Sequence, residues 1–325
     1  MIQIIFIFLL FPITIFTQTN ADNTTATNNS KQTQLDQWKE TLNFGISTQR
    51  LNTVKQIRSS KATNSIEILQ EQFLKDDNRT VKEEIIYTFI DLTNDNSEFW
   101  KKVFSKEKDL IVLQRAAFAI EKLKIGSAGP EIFSNLSIQL SNTEAIRFNA
   151  SAVRALGEIK FQEALPIIIE IATNKDLHQD LRGSAVVAVG MYQDAAQIPL
   201  LESILTDSFE SQFIRRYAAL GIGRTESTNA VAILSPIAVN EKEAQSVRLN
   251  AVSGLGYIAN DETITIMEQL TKSDDTALRT EAIKSLGKMK ATNAQEILKY
   301  KAMKDPEAIV RREAKKALQE MGINL

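Results

Sequence analysis

The chain has 325 residues, 43% of them hydrophobic and 24% charged, and its 38 basic and 40 acidic side chains leave a formal net charge of -2. It is long enough to bury a sizeable core, and the balanced charge argues against a general nucleic-acid binder. With no cysteine and one histidine, it has no disulfide framework, thiol nucleophile, Fe–S cluster, thiolate zinc site or His-rich metal centre, so no cofactor or metal is expected.

The N-terminus opens on an apolar run, Ile2 to Phe16, broken only by Gln3, Pro12 and Thr14. Such a run is short of the roughly 20 residues that span a bilayer and reads as a secretory signal core. Thr19-Asn20-Ala21 places small residues at the usual cleavage positions, so residues 1–21 are predicted to be a signal peptide. No Lys or Arg precedes the run, which leaves an uncleaved anchor as the alternative and the only expected contact with a membrane. The protein is therefore predicted to be exported, to a periplasm or outside the cell. Residues 22–34 are almost wholly Thr, Asn, Gln, Ser and Ala, too polar to offset their ordering entropy, and read as a flexible leader. Asn-x-Ser/Thr triplets at Asn23, Asn28, Asn78, Asn135 and Asn149 are either glycosylation acceptors or chance matches in an Asn-rich chain.

From Phe148 onward one phrase recurs: Phe148-Asn149-Ala150-Ser151-Ala152-Val153-Arg154-Ala155-Leu156-Gly157. Anchored on Asn149, Arg182, Arg215, Arg248, Arg279 and Arg311, it advances in steps of 33, 33, 33, 31 and 32 residues. Small residues at anchor +3 and +6 share a helical face, and Gly157, Gly190, Gly223, Gly256 and Gly287 hold position +8 near the same stripe. Glycine costs about 1 kcal/mol against alanine inside a helix, so its recurrence marks a packing need. A second amphipathic helix follows in each unit, with aliphatic residues at +18, +19 and +22 such as Ile167, Ile168 and Ile171. Pro130, Pro166 and Pro199 all fall 17 residues after their anchors, in the first helical turn. Pro236, at +21, predicts a kink in its helix.

Upstream the phrase weakens but keeps its step, with anchors at Leu113, Lys82 and, least clearly, Arg50; extra length is expected near Gly126 to Gly129. The fold predicted is all-α, a right-handed α-solenoid of about eight helix-pair repeats. Divergent repeats occupy 35–110 and regular ones 111–325, closed by a polar capping helix bearing Lys315, Lys316, Gln319 and Glu320.

The phrase resembles HEAT repeats, and within them the short subtype named after phycobilisome bilin lyases. The resemblance implies an armadillo-like helical solenoid and, for function, allows scaffolds, transport receptors, bilin lyases or a di-iron deoxyhypusine hydroxylase. The hydroxylase family holds its irons through His-Glu pairs on several repeats; the single His178 is followed by Gln179, so that chemistry is absent. Families of this kind join repeats through an Asp/Arg ladder, which suggests a structural role for Arg182, Arg215, Arg248, Arg279 and Arg311. The acids Glu144, Asp176, Glu210, Glu243, Asp274 and Asp305, five or six residues before the anchors, are expected to cap helices and pair with a nearby Arg.

His178 reads as a solvated loop residue, with Asp176 and Asp180 beside it as helix caps; Trp38 and Trp100 read as core or cap residues. No catalytic motif, phosphate loop or metal spacing is present. The positions that vary most after the recurrent glycine include Tyr192, Arg224 and Tyr257, residue types enriched at binding hot spots, and they are the predicted partner-binding residues. The alternative is that they cover the turn inside each repeat. The expected function is that of an exported, monomeric, non-enzymatic scaffold or adaptor holding a protein or peptide. A lyase-type or modification enzyme, or its accessory subunit, with substrate in the solenoid groove is the alternative.

Overall fold

The computed structural model of the chain describes residues 21–323, so the predicted signal peptide lies almost wholly outside the described residues. Eighteen α-helices and no strand occur among these residues. Nine of the helices carry the repeated phrase: α2 (Ser47–Ser60), α4 (Arg79–Asp91), α6 (Leu110–Leu123), α8 (Ile146–Glu158), α10 (Gln179–Met191), α12 (Gln212–Arg224), α14 (Gln245–Leu255), α16 (Thr276–Lys288) and α18 (Ala308–Glu320). Between them lie the second helices α3 (Ile66–Lys75), α5 (Ser97–Lys106), α7 (Gly129–Gln139), α9 (Leu165–Thr173), α11 (Ile198–Thr206), α13 (Asn229–Val239), α15 (Asp261–Leu270) and α17 (Gln295–Lys304). The result is an α-solenoid of eight helix pairs, with α18 closing one end and α1 (Ala21–Phe44) preceding the first pair.

The small-residue stripe does what its spacing requires. A Cβ added to Gly190 on α10 would lie 1.9 Å from the Gly221 carbonyl on α12, and one added to Gly223 would lie 2.2 Å from Gly254 Cα on α14. Gly157 meets Ala188, Gly256 meets Ser285 and Gly287 meets Ala317 in the same way. In these five repeats position +8 thus faces position +6 of the next, which is why both are small. The phrase helices pack extensively on one another, whereas the second helices contact each other far less. A two-layer stack bends toward its more closely packed layer, so the phrase helices form the inner side of the curve. One core cluster runs from Trp38 to Leu318, and the second helices close it from outside with Ile168, Ile171, Leu201, Leu234 and Met267.

Seven of the nine inner helices are followed by a feature invisible to periodicity. Eleven residues after the anchor the backbone turns left-handed at a non-glycine: Lys61, Thr93, Lys124, Lys160, Gln193, Glu226 and Lys290, with φ from 50° to 57°. This marker recurs at Lys61 and Thr93, so the weak anchors Arg50 and Lys82 share the phase of the others. The three early prolines sit in the first turn of α7, α9 and α11 as expected. Pro236 lies inside α13, which continues to Val239 on its far side.

Two expectations change. The extra residues before Asn149 are not at Gly126–Gly129, where the turn has the usual length. They lengthen α7 to 11 residues, against nine in α9, and add a 3₁₀ turn at Thr143–Ala145. The polar stretch 22–34, expected as a flexible leader, forms the first part of α1. Its later part docks through Trp38 and Leu42, and extending an existing helix is far easier than nucleating one. Trp100 is fully buried, its indole N–H donating to the Asn94 carbonyl at 3.0 Å.

Candidate functional site

The arginine ladder is enclosed between repeats. Arg182 Nη2 reaches Glu210 Oε2 at 2.8 Å while its Nε donates to the Ala172 carbonyl at the end of α9. Arg215 repeats the pattern with Glu243 at 2.6 Å and the Leu205 carbonyl at 2.7 Å. The side chains of Arg182 and Glu210 are only 6% and 8% exposed, which leaves this rung little surface to offer a ligand. The carboxylate comes from the turn of the following repeat, not from the preceding turn. Arg182 and Arg215 therefore each tie the outer helix of the repeat before to the repeat after. Arg279 with Asp305, Arg50 with Asp76, and Lys82 with Glu107 extend the same scheme. Arg248 keeps only the Ala238 carbonyl, and Arg311 turns to the carbonyls of Asp305 and Pro306. Hydrogen bonds from Arg182 and Arg215 hold the pKa values of Glu210 and Glu243 below the usual glutamate range, outweighing the opposing effect of burial.

The inner face is formed by the phrase helices at anchor +2, +5 and +9, the positions that point away from the second layer. From α8 to α16 the last row reads Glu158, Met191, Arg224, Tyr257 and Lys288. Three of these are joined. Arg224 bonds Glu158 at 2.5 Å across an intervening repeat, and its guanidinium stacks 4.8 Å from the centre of the Tyr257 ring. Lys124 pairs with the other Glu158 oxygen at 3.0 Å. Burial opposes the charge on Glu158, yet these two cations hold its pKa below the ordinary value. Tyr257 presents its ring at 37% exposure, so of the predicted contact residues it is the accessible one, with Arg224 as its support.

Tyr192 is not available to a partner. It is 6% exposed, and its hydroxyl donates to the Phe161 carbonyl at 2.6 Å, in the turn of the preceding repeat. Burial raises its pKa well above the usual phenol value. The ring closes the gap beside Met191, so here the turn-covering alternative describes the geometry. Periodicity alone did not single out Phe213, Arg216 and Tyr217 on α12, where Arg216 lies over both rings at 4.4 and 4.8 Å from their centres. The signal present in the sequence was local: two aromatics four apart on a helix with a cation between them, at positions where the neighbouring α10 has Gly183.

The remaining candidates take structural places. His178 caps α10 itself, its Nδ1 accepting from the Asp180 N–H at 3.2 Å, so the cap falls to the imidazole and not to the flanking aspartates. Asn78 caps α4 through Val81 N–H, and Asn135 donates to the Phe104 and Glu131 carbonyls. Asn149 is fully buried and donates to the Gln139 carbonyl at 2.8 Å. A glycan on Asn149 is incompatible with this fold, and that triplet is a chance match. Among the described residues no group of three or more His, Asp or Glu side chains is placed to hold a metal ion. None of the helices there is long and apolar enough to cross a membrane. The surface clefts are open; one of about 380 Å³ lies beside Trp38 and Lys61. One of about 80 Å³ lies on the inner face between Lys284, Lys288 and Lys316, and another of about 290 Å³ lies beside Arg248 and Lys272.

A sequence profile described as HEAT repeats matches residues 133–223 and 231–319, more than half of the chain. No curated protein matches it in sequence. Among solved structures it is similar to the CpcE–CpcF complex of phycocyanin lyase from a Nostoc species, with 17% identity over 86% of this chain and 97% of that one, TM-score 0.49. It is similar also to human deoxyhypusine hydroxylase, with 15% identity over 82% of this chain and 99% of that one, TM-score 0.37. Against Kap121p it shows 12% identity over 94% of this chain and 44% of that one, TM-score 0.38. Repeats that match over this length, built as stacked helix pairs with an enclosed arginine ladder, make the chain a member of the HEAT-repeat proteins.

Proposed function

We propose that the protein is an exported, non-enzymatic scaffold or adaptor that holds a protein or peptide segment along the inner face of its solenoid. The observation that carries this reading is the inner face itself. One helix per repeat presents half-buried polar, charged and aromatic side chains in register, Tyr217, Arg224 and Tyr257 among them, over a surface whose clefts stay open. Enclosed pockets with converging polar groups are the usual form of small-molecule sites, and rows of side chains on a long curved surface suit an extended polymer. Export rests on the apolar run Ile2 to Phe16 and its Thr19-Asn20-Ala21 continuation.

The test is crosslinking of the protein in its native compartment followed by affinity purification, in parallel with a Tyr257→Ala/Arg224→Ala variant. A stoichiometric protein partner captured by the wild type and lost with the variant is the expected result. Turnover of a small substrate without any captured partner would overturn the reading in favour of the lyase-type or modification enzyme. N-terminal sequencing of the mature protein is expected to begin at Asp22.

A further inference from the structure

Most arginines of the inner layer are neutralised by carboxylates, while Arg248 and Arg311 bond backbone carbonyls instead. Arg58 pairs with Glu84 and Asp91, Arg115 with Glu83, Arg154 with Glu121 and Arg224 with Glu158. Arg216, in the middle of the stack, has neither: among the described residues no carboxylate lies within 4 Å of it, and its printed hydrogen bond goes to a phenol. Its guanidinium rests on the Phe213 and Tyr217 rings, and Nη2 donates weakly to the Tyr217 hydroxyl at 3.4 Å. The two rings meet edge to face at 5.1 Å and 75°. Arg216 Nε is enclosed and has no acceptor.

The neighbouring helix is shaped to this cluster. A Cβ at Gly183 of α10 would stand 2.5 Å from Tyr217 Cδ2 and 3.3 Å from Phe213 Cε1. Gly183 is not one of the recurrent glycines, since it sits at anchor +1, where Asn149 is followed by Ala150 and Arg248 by Leu249. Its absent side chain leaves the space that the aromatic pair occupies. A cation is thereby held against an apolar platform, with Nη2 only weakly engaged and no carboxylate opposite it. Four residues before Phe213, in the turn leading into α12, Phe209 is 94% exposed, which places an apolar surface close to the charge along the chain.

We propose that Arg216 on its Phe213–Tyr217 platform anchors an extended peptide segment of a partner protein through an Asp or Glu side chain flanked by a bulky apolar residue. The proposal rests on the adaptor reading and specifies its recognition chemistry. A guanidinium offers a two-pronged donor edge that matches a carboxylate, and stacking on rings holds that edge without consuming its donors. The uncompensated charge selects an acidic residue, and the ring faces with Phe209 favour an apolar neighbour.

The experiment uses the full mature protein and a display library of random 12-residue peptides. Wild-type protein is expected to enrich peptides with an Asp or Glu beside Leu, Phe or Tyr. A synthetic, fluorescein-labelled peptide from that set should bind about 10- to 100-fold more weakly to Arg216→Gln, the loss expected for one charged hydrogen-bonded contact. Replacing the peptide's own Asp by Asn should weaken wild-type binding similarly, with no further loss on Arg216→Gln. Arg216→Lys, which keeps the charge without the planar fork, should recover only part of the affinity, and all variants should melt as the wild type does. Selected peptides that bind Arg216→Gln undiminished would overturn the proposal while leaving the adaptor reading standing. Failure to select any peptide or capture any protein partner would overturn both.

Discussion

Replacing Gly223 by alanine is a sharp perturbation of this fold because two effects of opposite sign compete at one site. In an isolated helix the substitution is favourable by about 1 kcal/mol. In α12 the new Cβ would fall 2.2 Å from Gly254 Cα, 2.3 Å from its carbonyl oxygen and 2.4 Å from its carbonyl carbon. Carbon atoms in contact prefer about 3.5–4.0 Å, so α12 and α14 would have to separate by more than an ångström. No rotamer change relieves a contact with backbone, and the Gly190–Gly221 contact holds α12 on its other side. Overpacking of this kind costs roughly 3 kcal/mol at the upper end of its usual range. The expected net loss is about 2 kcal/mol, or about 4 °C in Tm for a chain of this size. Urea unfolding followed by circular dichroism, with thermal melts, reads both quantities. Gly126→Ala is the matched control, because a Cβ there has nothing within 4 Å, and it should leave the melt unchanged. A Gly223→Ala protein as stable as the wild type or more so would refute the close-approach account of the recurrent glycine.

Breaking one buried rung by Arg182→Met should cost about 3–5 kcal/mol, and adding Glu210→Leu should recover most of that loss, as a double-mutant cycle in urea would measure. The folded-state pKa values of Glu210 and Glu243 are lowered, so their stabilisation is complete above the unfolded value near 4.5 and is lost as pH falls through the folded values. The urea midpoint should therefore fall between pH 5 and pH 3, by less in the Arg182→Met/Glu210→Leu protein; an equal fall in both would remove the rung as its cause. Lys290 holds φ at 50°, a conformation costing a side chain about 1 kcal/mol or more. Lys290→Gly should raise stability by about 0.5–1 kcal/mol in the same assay, once the glycine's greater unfolded-state freedom is counted. Tyr192→Phe removes one of the two donors to the Phe161 carbonyl, which keeps the Ala164 N–H, and should lower stability by about 0.5–1.5 kcal/mol, while any partner bound at Tyr257 keeps its affinity.

The repeat was legible in the sequence because every unit obeys the same local rule. Small residues at +3, +6 and +8 and aliphatic ones at +18, +19 and +22 define which face of each helix is covered; the +3 and +6 residues are buried from Ala152 to Ala317, and the +18 residues such as Ile167 and Leu200 are partly so. Helix pairing, the phase of the anchors, the first-turn prolines and the closing helix follow from spacing along one chain. The interaction surface was less legible. Tyr192 and Tyr257 occupy repeats two steps apart and differ by one position in phase, yet one closes a turn and the other faces solvent. Arg216 matches no recurring position, and its isolation is visible only once the carboxylates around it are placed.

What the sequence determined by itself is the helical period, the repeat length and the stripe on which repeats touch, since these depend on residues within one or two turns of each other. What only the tertiary structure decided is the offset between successive repeats. That offset sets position +8 against +6 of the next helix, gives Arg182 the carboxylate 28 residues ahead, and seats Tyr217 over Gly183. The reason is physical. A periodic pattern specifies which face is buried but leaves the sliding and rotation of one helix on its neighbour free, and those are settled by close packing of particular atoms.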